Sequence, residues 1–165
     1  MIWLKKISID NRSLNTNGFE KRRLIRQRQH NIGISMVEII NKLYSYSHVS
    51  KTHKAQYVAI IAENYEVGID IEHLSLNQQN LKFLGKSERR LCMDYDSGLI
   101  WSLKESIAKL MKCGLKRLDD VVIYSICEDR VYAKIRSNHK KVLYISFKFY
   151  WWIIENKYVM AIVRL

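Results

Sequence analysis

The stretch VGIDIEHLS at residues 67–75 decides the fold, because it is an apolar run that carries Asp70 and Glu72. Alternate side chains of a strand share a face, so the two carboxylates point one way while Ile69 and Ile71 point the other. Carboxylates on one face repel each other unless water or a cation lies between them. Taken alone, the pattern is more typical of the exposed face of an edge strand than of a binding site.

The stretch WSLKESIAK at residues 101–109 predicts a helix with a chemically useful face. An amphipathic helix with an ordinary Glu105–Lys109 pair would explain much of its pattern. However, Glu105 beside Asp70 and Glu72 would complete a set of carboxylate oxygens, which Mg²⁺ binds together with the phosphate oxygens of a substrate. Nearby lysines would neutralise phosphate charge. The predicted polar face consists of Trp101, Lys104, Glu105, Ala108, Lys109 and Lys112, and the opposite apolar stripe of Leu103, Ile107 and Leu110. The two stretches together indicate phosphoryl chemistry.

The order of predicted elements along the 165 residues indicates an α+β fold. A strand at residues 1–9 precedes a helix within residues 19–46. Residues 57–62 and 67–72 are predicted to form a pair of strands joined by the turn ENYE. The buried face of the first helix is predicted at Met36, Ile39, Ile40 and Leu43.

The second half of the chain is predicted to hold two helices and then a run of strands. The helices lie within residues 81–95 and 98–112. The remaining segments are rich in β-branched and aromatic residues, which sheets favour. These strands are predicted at residues 121–126, 130–137, 141–154 and 157–165.

The formal net charge of +12 indicates anionic partners: a phosphorylated small molecule, an acidic protein or a nucleic acid. The arginines Arg22, Arg23, Arg26 and Arg28 fit either a solvated helix face or a phosphate-binding one. The chain begins with a charged segment and has no 18-residue apolar run, so we expect no signal peptide, no membrane partner and a cytoplasmic location.

Taken together, VGIDIE at residues 67–72 and WSLKESIAK at residues 101–109 resemble the two signature motifs of the 4′-phosphopantetheinyl transferases. The usual forms are a strand with the pattern GxDxE and a helix with the pattern WxxKExxxK. The segment KFLGKSERRL between them, which contains Glu88, is also similar to that family. The first motif comes late in the chain, which resembles the surfactin-synthetase-type group. That group implies two similar α+β halves with antiparallel sheets in one chain: a shortened first half at residues 1–66 and a second half at residues 67–165.

The resemblance implies a holo-[acyl-carrier-protein] synthase-type 4′-phosphopantetheinyl transferase. Such an enzyme transfers 4′-phosphopantetheine from coenzyme A to a serine of an apo carrier protein and releases 3′,5′-ADP. The implied cofactor is Mg²⁺, with Mn²⁺ as an alternative. The implied metal ligands are Asp70, Glu72 and Glu105. Glu105, directly or through a water, would be the general base, and Lys109 would act with it on the phosphates. The implied coenzyme A contacts are His53, Lys104, Lys109 and Asp70, with His53 at the 3′-phosphate and favoured over His48.

The expected partners are coenzyme A and an acidic apo carrier protein, acyl or peptidyl, from fatty-acid, polyketide or nonribosomal-peptide biosynthesis. We expect a monomer that does not bind nucleic acid. Two alternatives stay open on the residues alone. One is a metal-dependent nuclease, which the carboxylates, the lysines and the net charge would also suit. The other is a non-catalytic relative that binds coenzyme A or a carrier.

Overall fold

A computed structural model describes residues 1–7, 18–76, 81–112, 119–136 and 141–165. These residues form two antiparallel sheets with helices on their outer faces, so the predicted α+β class with antiparallel sheets is confirmed. The helices are α1 (Gly18–Leu43), α2 (Lys86–Leu91) and α3 (Ser97–Leu110). The strands are β1 (Ile2–Lys6), β2 (His48–Lys54), β3 (Tyr57–Glu63), β4 (Val67–His73), β5 (Val121–Cys127), β6 (Arg130–Arg136), β7 (Val142–Ile154) and β8 (Tyr158–Arg164). Residues 8 and 9, which the sequence assigned to the first strand, lie outside the described residues.

The first sheet has the order β1-β3-β2, and α1 packs on its outer face. The helix contacts the sheet through Ile40, with Met36 and Val37 partly buried beside it. The predicted buried face of α1 is therefore only half right, because Ile39 and Leu43 are exposed. The helix turns the Ile40 side of its surface, rather than the Ile39 side, toward Ile60 and Ala62.

The second sheet has the order β4-β8-β7-β6-β5, and α3 lies across one of its faces. That face and α3 enclose the largest core cluster, which includes Leu103, Ile107 and Phe147. The opposite face packs against the first sheet at β4 and β8, where Ile69 and Ile162 meet residues of β3. Strand β4 is therefore buried on both sides, which explains why its apolar residues do not alternate with exposed ones.

The predicted pairing of residues 57–62 with residues 67–72 is wrong. Strand β3 pairs with β1 and β2, whereas β4 pairs with β8 at the other end of the chain. Both segments are buried on both faces because each is sandwiched, and this pattern does not reveal which edges form hydrogen bonds. The turn between them carries the chain from one sheet to the other.

The predicted polar face of α3 is also wrong in part. Eleven of its fourteen residues are buried, including Trp101, Lys104 and Ala108. Within the helix, Ser97, Glu105 and Lys109 are only partly buried. The helix is covered on almost all sides, and it opens to solvent at Glu105 and Lys109.

No helix within the described part of the chain is long and apolar enough to cross a membrane. The predicted division near residue 66 falls at the crossing between the sheets, and it stays a prediction.

Candidate active site

Strand β4 and helix α3 lie in close contact because glycine and serine occupy their interface. A Cβ at Gly68 would lie 1.9 Å from the carbonyl oxygen of Ser106, so only glycine allows this approach. Ser102 Oγ donates a hydrogen bond to the carbonyl oxygen of Asp70 at 3.0 Å, and Ser106 Oγ donates one to that of Ala161 at 3.1 Å. These contacts fix the helix against the strand and place Glu105 beside Asp70.

Lys109 links the two carboxylates. Its ammonium group lies 2.6 Å from Asp70 Oδ1, 3.0 Å from the carbonyl oxygen of Ile69 and 3.9 Å from Glu105 Oε2. Asp70 is buried, with a side chain only 5% exposed, so its charge requires a counter-ion nearby. Lys109 therefore supplies the positive charge that the buried Asp70 carboxylate requires.

Glu105 is a partly buried carboxyl group with a raised pKa. Burial, and next the negative charge of Asp70, raise the pKa of Glu105 from its usual 4.5 to about 7, although Lys109 partly opposes this. The nearby Asp70 carboxylate also favours the protonated form of Glu105, which could donate a hydrogen bond to it. A carboxyl group that titrates near neutrality can accept a proton and release it under ordinary conditions, as a general base must.

Trp101 positions Glu105. Its indole Nε1 donates a hydrogen bond to Glu105 Oε1 at 2.9 Å across one turn of α3. The ring is 6% exposed and packs with Leu84 and Ile100 in a small core cluster. The sequence placed Trp101 on the polar face of the helix, whereas the structure buries the ring and adds the hydrogen bond that fixes Glu105.

Strand β2 of the first sheet contributes side chains to the site where it faces β4 of the second sheet. Ser50 Oγ accepts a hydrogen bond from the backbone N–H of Ile69 at 3.2 Å, and Thr52 Oγ1 donates one to Asp70 Oδ1 at 2.9 Å. Two residues further along, Lys54 Nζ lies 2.5 Å from Glu72 Oε1 and 2.8 Å from Glu72 Oε2. Ser50, Thr52 and Lys54, at alternate positions of β2, thus each contact a residue of β4.

The structure brings Asp70 and Glu105 together, whereas Glu72 is paired elsewhere. The Glu72 carboxylate binds Lys54 and accepts the backbone N–H of His73 at 2.7 Å. Among the described residues, no group of three or more His, Cys, Asp and Glu side chains is arranged to hold a metal ion. The metal role assigned to Asp70, Glu72 and Glu105 stays a prediction.

The donor set nevertheless fits a divalent cation. Asp70 and Glu105 are adjacent oxygen donors, and the negative charge of Asp70 contributes to the raised pKa of Glu105 although Lys109 lies close to both. Mg²⁺ is commonly held by one or two carboxylates together with water and substrate phosphates. Asp70 and Glu105 would be the protein ligands of such an ion.

Lys104 does not lie at this site. Its ammonium group is buried, with a side chain 1% exposed, and it forms an ion pair with Glu88 Oε2 at 2.9 Å. The Glu88 carboxylate also accepts the backbone N–H groups of Gly85 and Ile123. The expected contact between Lys104 and coenzyme A is therefore not supported by its placement, because α3 turns this lysine inward, toward α2 and β5.

His53 lies on the face of β2 opposite Thr52, toward α1, and is exposed. Partial loss of hydration, and next the positive charges of Lys109 and Arg26, lower the pKa of His53. Arg26 also lines a cleft of about 470 Å³ between α1 and the turns that follow β2 and β7. Arg22, Gln29, Glu155 and Lys157 line the same cleft, so two of the four predicted arginines face a depression with three cationic side chains and one carboxylate.

Sequence reasoning missed the contribution of β2 to the site. Thr52 and Lys54 were visible only as neighbours of His53, and nothing in their local pattern links them to Asp70 and Glu72. The one available signal was their spacing: two polar residues two positions apart match two carboxylates two positions apart.

Comparison with known families identifies the segment that carries this site. Residues 66–163 match the family model described as the 4′-phosphopantetheinyl transferase superfamily. The match covers more than half of the chain and includes β4, α3 and the strands that follow. No curated protein sequence matches the chain significantly.

Proposed function

The chain belongs to the 4′-phosphopantetheinyl transferase superfamily, and we propose that it transfers 4′-phosphopantetheine from coenzyme A to a serine of an apo carrier protein in a Mg²⁺-dependent reaction. The observation that carries this proposal is the contact of Asp70, Glu105 and Lys109 on the two elements that bear the family's motifs. In the reaction, the serine oxygen forms a bond to the β-phosphorus of coenzyme A. The bond between that phosphorus and the bridging oxygen breaks, and 3′,5′-ADP leaves.

Glu105 is the general base of this proposal. Without a bound cation the pKa of Glu105 is raised to about 7, and the charge of a bound Mg²⁺ would favour the ionised carboxylate that accepts the serine proton. The hydrogen bond from Trp101 at 2.9 Å holds Oε1 of the carboxylate, and Oε2, which lies 3.9 Å from Lys109 Nζ, would face the cation and the serine hydroxyl group. A bound Mg²⁺ would supply neutralisation of the pyrophosphate charge.

Lys109 supports the same chemistry. Its ammonium group is 26% exposed and therefore accessible from the side on which α3 opens to solvent. A lysine in this position can contact a phosphate oxygen while it stays close to Asp70, and it would stabilise charge that develops as the bond breaks.

The adenosine end of coenzyme A is proposed to lie toward His53 and the basic cleft beside α1. Arg22, Arg26 and Lys157 line that cleft together with Glu155, whose carboxylate pairs with Lys6, and the three cationic side chains suit a 3′-phosphate. This placement agrees with coenzyme A lying between two halves of the chain. We accordingly propose the surfactin-synthetase-type arrangement, with a short first half, at residues 1–66, that consists of β1, α1, β2 and β3.

The proposed second substrate is an acidic acyl or peptidyl carrier protein. The net charge of +12 would attract it and speed its encounter with the enzyme. The holo-[acyl-carrier-protein] synthase type is the corresponding proposed activity.

The proposal is tested by incubating the protein with coenzyme A, Mg²⁺ and a panel of apo carrier proteins, followed by intact mass measurement. We expect one carrier class to gain one phosphopantetheine group. Asp70→Ala and Glu105→Ala should abolish the gain while the circular dichroism spectrum stays unchanged. Transfer at wild-type rates by either variant would refute the assignment of the site. Binding of coenzyme A without transfer to any carrier would favour a non-catalytic relative.

A further inference from the structure

The two acidic residues of β4 have different pairing partners on the neighbouring elements. Asp70 receives a hydrogen bond from the neutral hydroxyl group of Thr52 and an ion pair from Lys109. Glu72 receives the full positive charge of Lys54, which bridges both of its oxygens at 2.5 and 2.8 Å. The two carboxylates share one face of the strand, but each has its own lysine.

Glu72 has little capacity left for another cation. Its side chain is 7% exposed, and its Oε1 atom already accepts the backbone N–H of His73 at 2.7 Å as well as contacting Lys54. If Glu72 turned toward a metal ion beside Asp70, Lys54 would lose its partner while its side chain stays partly buried, at 29% exposure. Leaving a partly buried charge without its partner costs free energy, so the ion pair opposes that movement.

We propose that Lys54 is a positioning residue that holds Glu72 outside the coordination shell of the cation, so that Asp70 and Glu105 are the metal ligands contributed by this chain. The inference rests on the proposed function, because it concerns the same cation site. The Lys54–Glu72 pair is then a neutral unit. It joins the first sheet to the second.

The test is calorimetric titration of Mg²⁺ into protein saturated with coenzyme A, without a carrier so that no turnover occurs. A titration into coenzyme A alone provides the baseline. The variants are Asp70→Asn, Glu105→Gln, Lys54→Met, Glu72→Gln and the double variant Lys54→Met/Glu72→Gln. Lys51→Met is the matched control, because Lys51 lies on the same strand, on its exposed face.

We expect Asp70→Asn and Glu105→Gln each to weaken Mg²⁺ binding by more than about 100-fold, beyond the 10–100-fold typical of groups that only orient ligands. The double variant removes a neutral pair and should bind Mg²⁺ within about threefold of wild type, well below that range. Lys54→Met alone releases an anionic Glu72 and should tighten binding, and this gain should vanish when Glu72→Gln is added. Lys51→Met should bind as wild type does.

The opposite pattern would overturn the inference. If the double variant loses Mg²⁺ as severely as Asp70→Asn, and Lys54→Met tightens nothing, Glu72 is a ligand. Thermal unfolding of the double variant shows whether a loss of binding merely reflects a loss of fold. If the double variant has lost its fold, Lys54→Met, which keeps both carboxylates, decides instead: a Kd for Mg²⁺ equal to that of wild type counts against the inference. If Asp70→Asn and Glu105→Gln bind Mg²⁺ as wild type does, the proposed cation site itself is wrong, a failure distinct from that of Lys54.

Discussion

Replacing Lys104 by Met tests whether this motif lysine serves the fold or the substrate. Lys104 and Glu88 form an ion pair with side chains 1% and 0% exposed. The substitution keeps the length of the side chain and removes the charge, so that the Glu88 carboxylate stays buried without its cation. The structure predicts a large loss of stability and little direct effect on coenzyme A.

Removing one partner of a buried ion pair costs about 3–5 kcal/mol. Glu88 keeps the backbone N–H groups of Gly85 at 2.6 Å and Ile123 at 3.1 Å, which still solvate its charge in part. We therefore expect the lower end, about 3 kcal/mol in the free energy of unfolding. For a chain of this size, that corresponds to a fall in Tm of about 6–12 °C.

Urea unfolding of wild type, Lys104→Met and Lys104→Met/Glu88→Gln measures this loss. The double variant leaves no buried charge at positions 88 and 104 and should recover most of the stability, to within about 1 kcal/mol of wild type. At a temperature where Lys104→Met is folded, its KM for coenzyme A should match that of wild type. If Lys104→Met unfolds at the same urea concentration as wild type but has a tenfold higher KM for coenzyme A, the reasoning is refuted and Lys104 contacts the substrate.

Four further outcomes are expected. The pKa of Glu105 is raised from 4.5 to about 7, so the folded protein holds a proton that the unfolded chain has lost, and the free energy of unfolding falls as the pH rises through this window. With a chelator present at pH 8, Glu105→Gln should raise the free energy of unfolding by about 2–3 kcal/mol, and an unchanged urea midpoint would contradict this. Gly68→Ala should force α3 away from β4 and abolish transfer, whereas Gly33→Ala, where a Cβ would lie 3.9 Å from its nearest neighbours, should be neutral or stabilising in thermal melts. His53→Ala should weaken coenzyme A more than 3′-dephospho-coenzyme A in binding titrations, and an equal loss would make His53 structural. Between about 50 and 300 mM salt, the KM for the carrier should rise more than that for coenzyme A, because exposed charges are screened beyond about 8 Å at physiological ionic strength; equal slopes would argue against a charged docking surface.

The locally encoded features of the site could be predicted from the sequence. Asp70 and Glu72 share one face of β4, with Ile69 and Ile71 on the other, because a strand alternates its side chains whatever it packs against. The helix that carries Glu105 and Lys109 follows from its periodicity in the same way, and the motifs agree with the family match over residues 66–163.

Only the tertiary structure decided how the charged residues pair. Lys104 and Lys109 look equivalent in the sequence, yet the first is buried against Glu88 and the second lies on Asp70. Lys54 on β2 reaches Glu72 across a seam between two sheets. An ion pair depends on the distance between groups far apart in the chain, and that distance is set by which edges form hydrogen bonds and which faces pack. Local periodicity determines the face on which a side chain stands, and packing determines what stands opposite it.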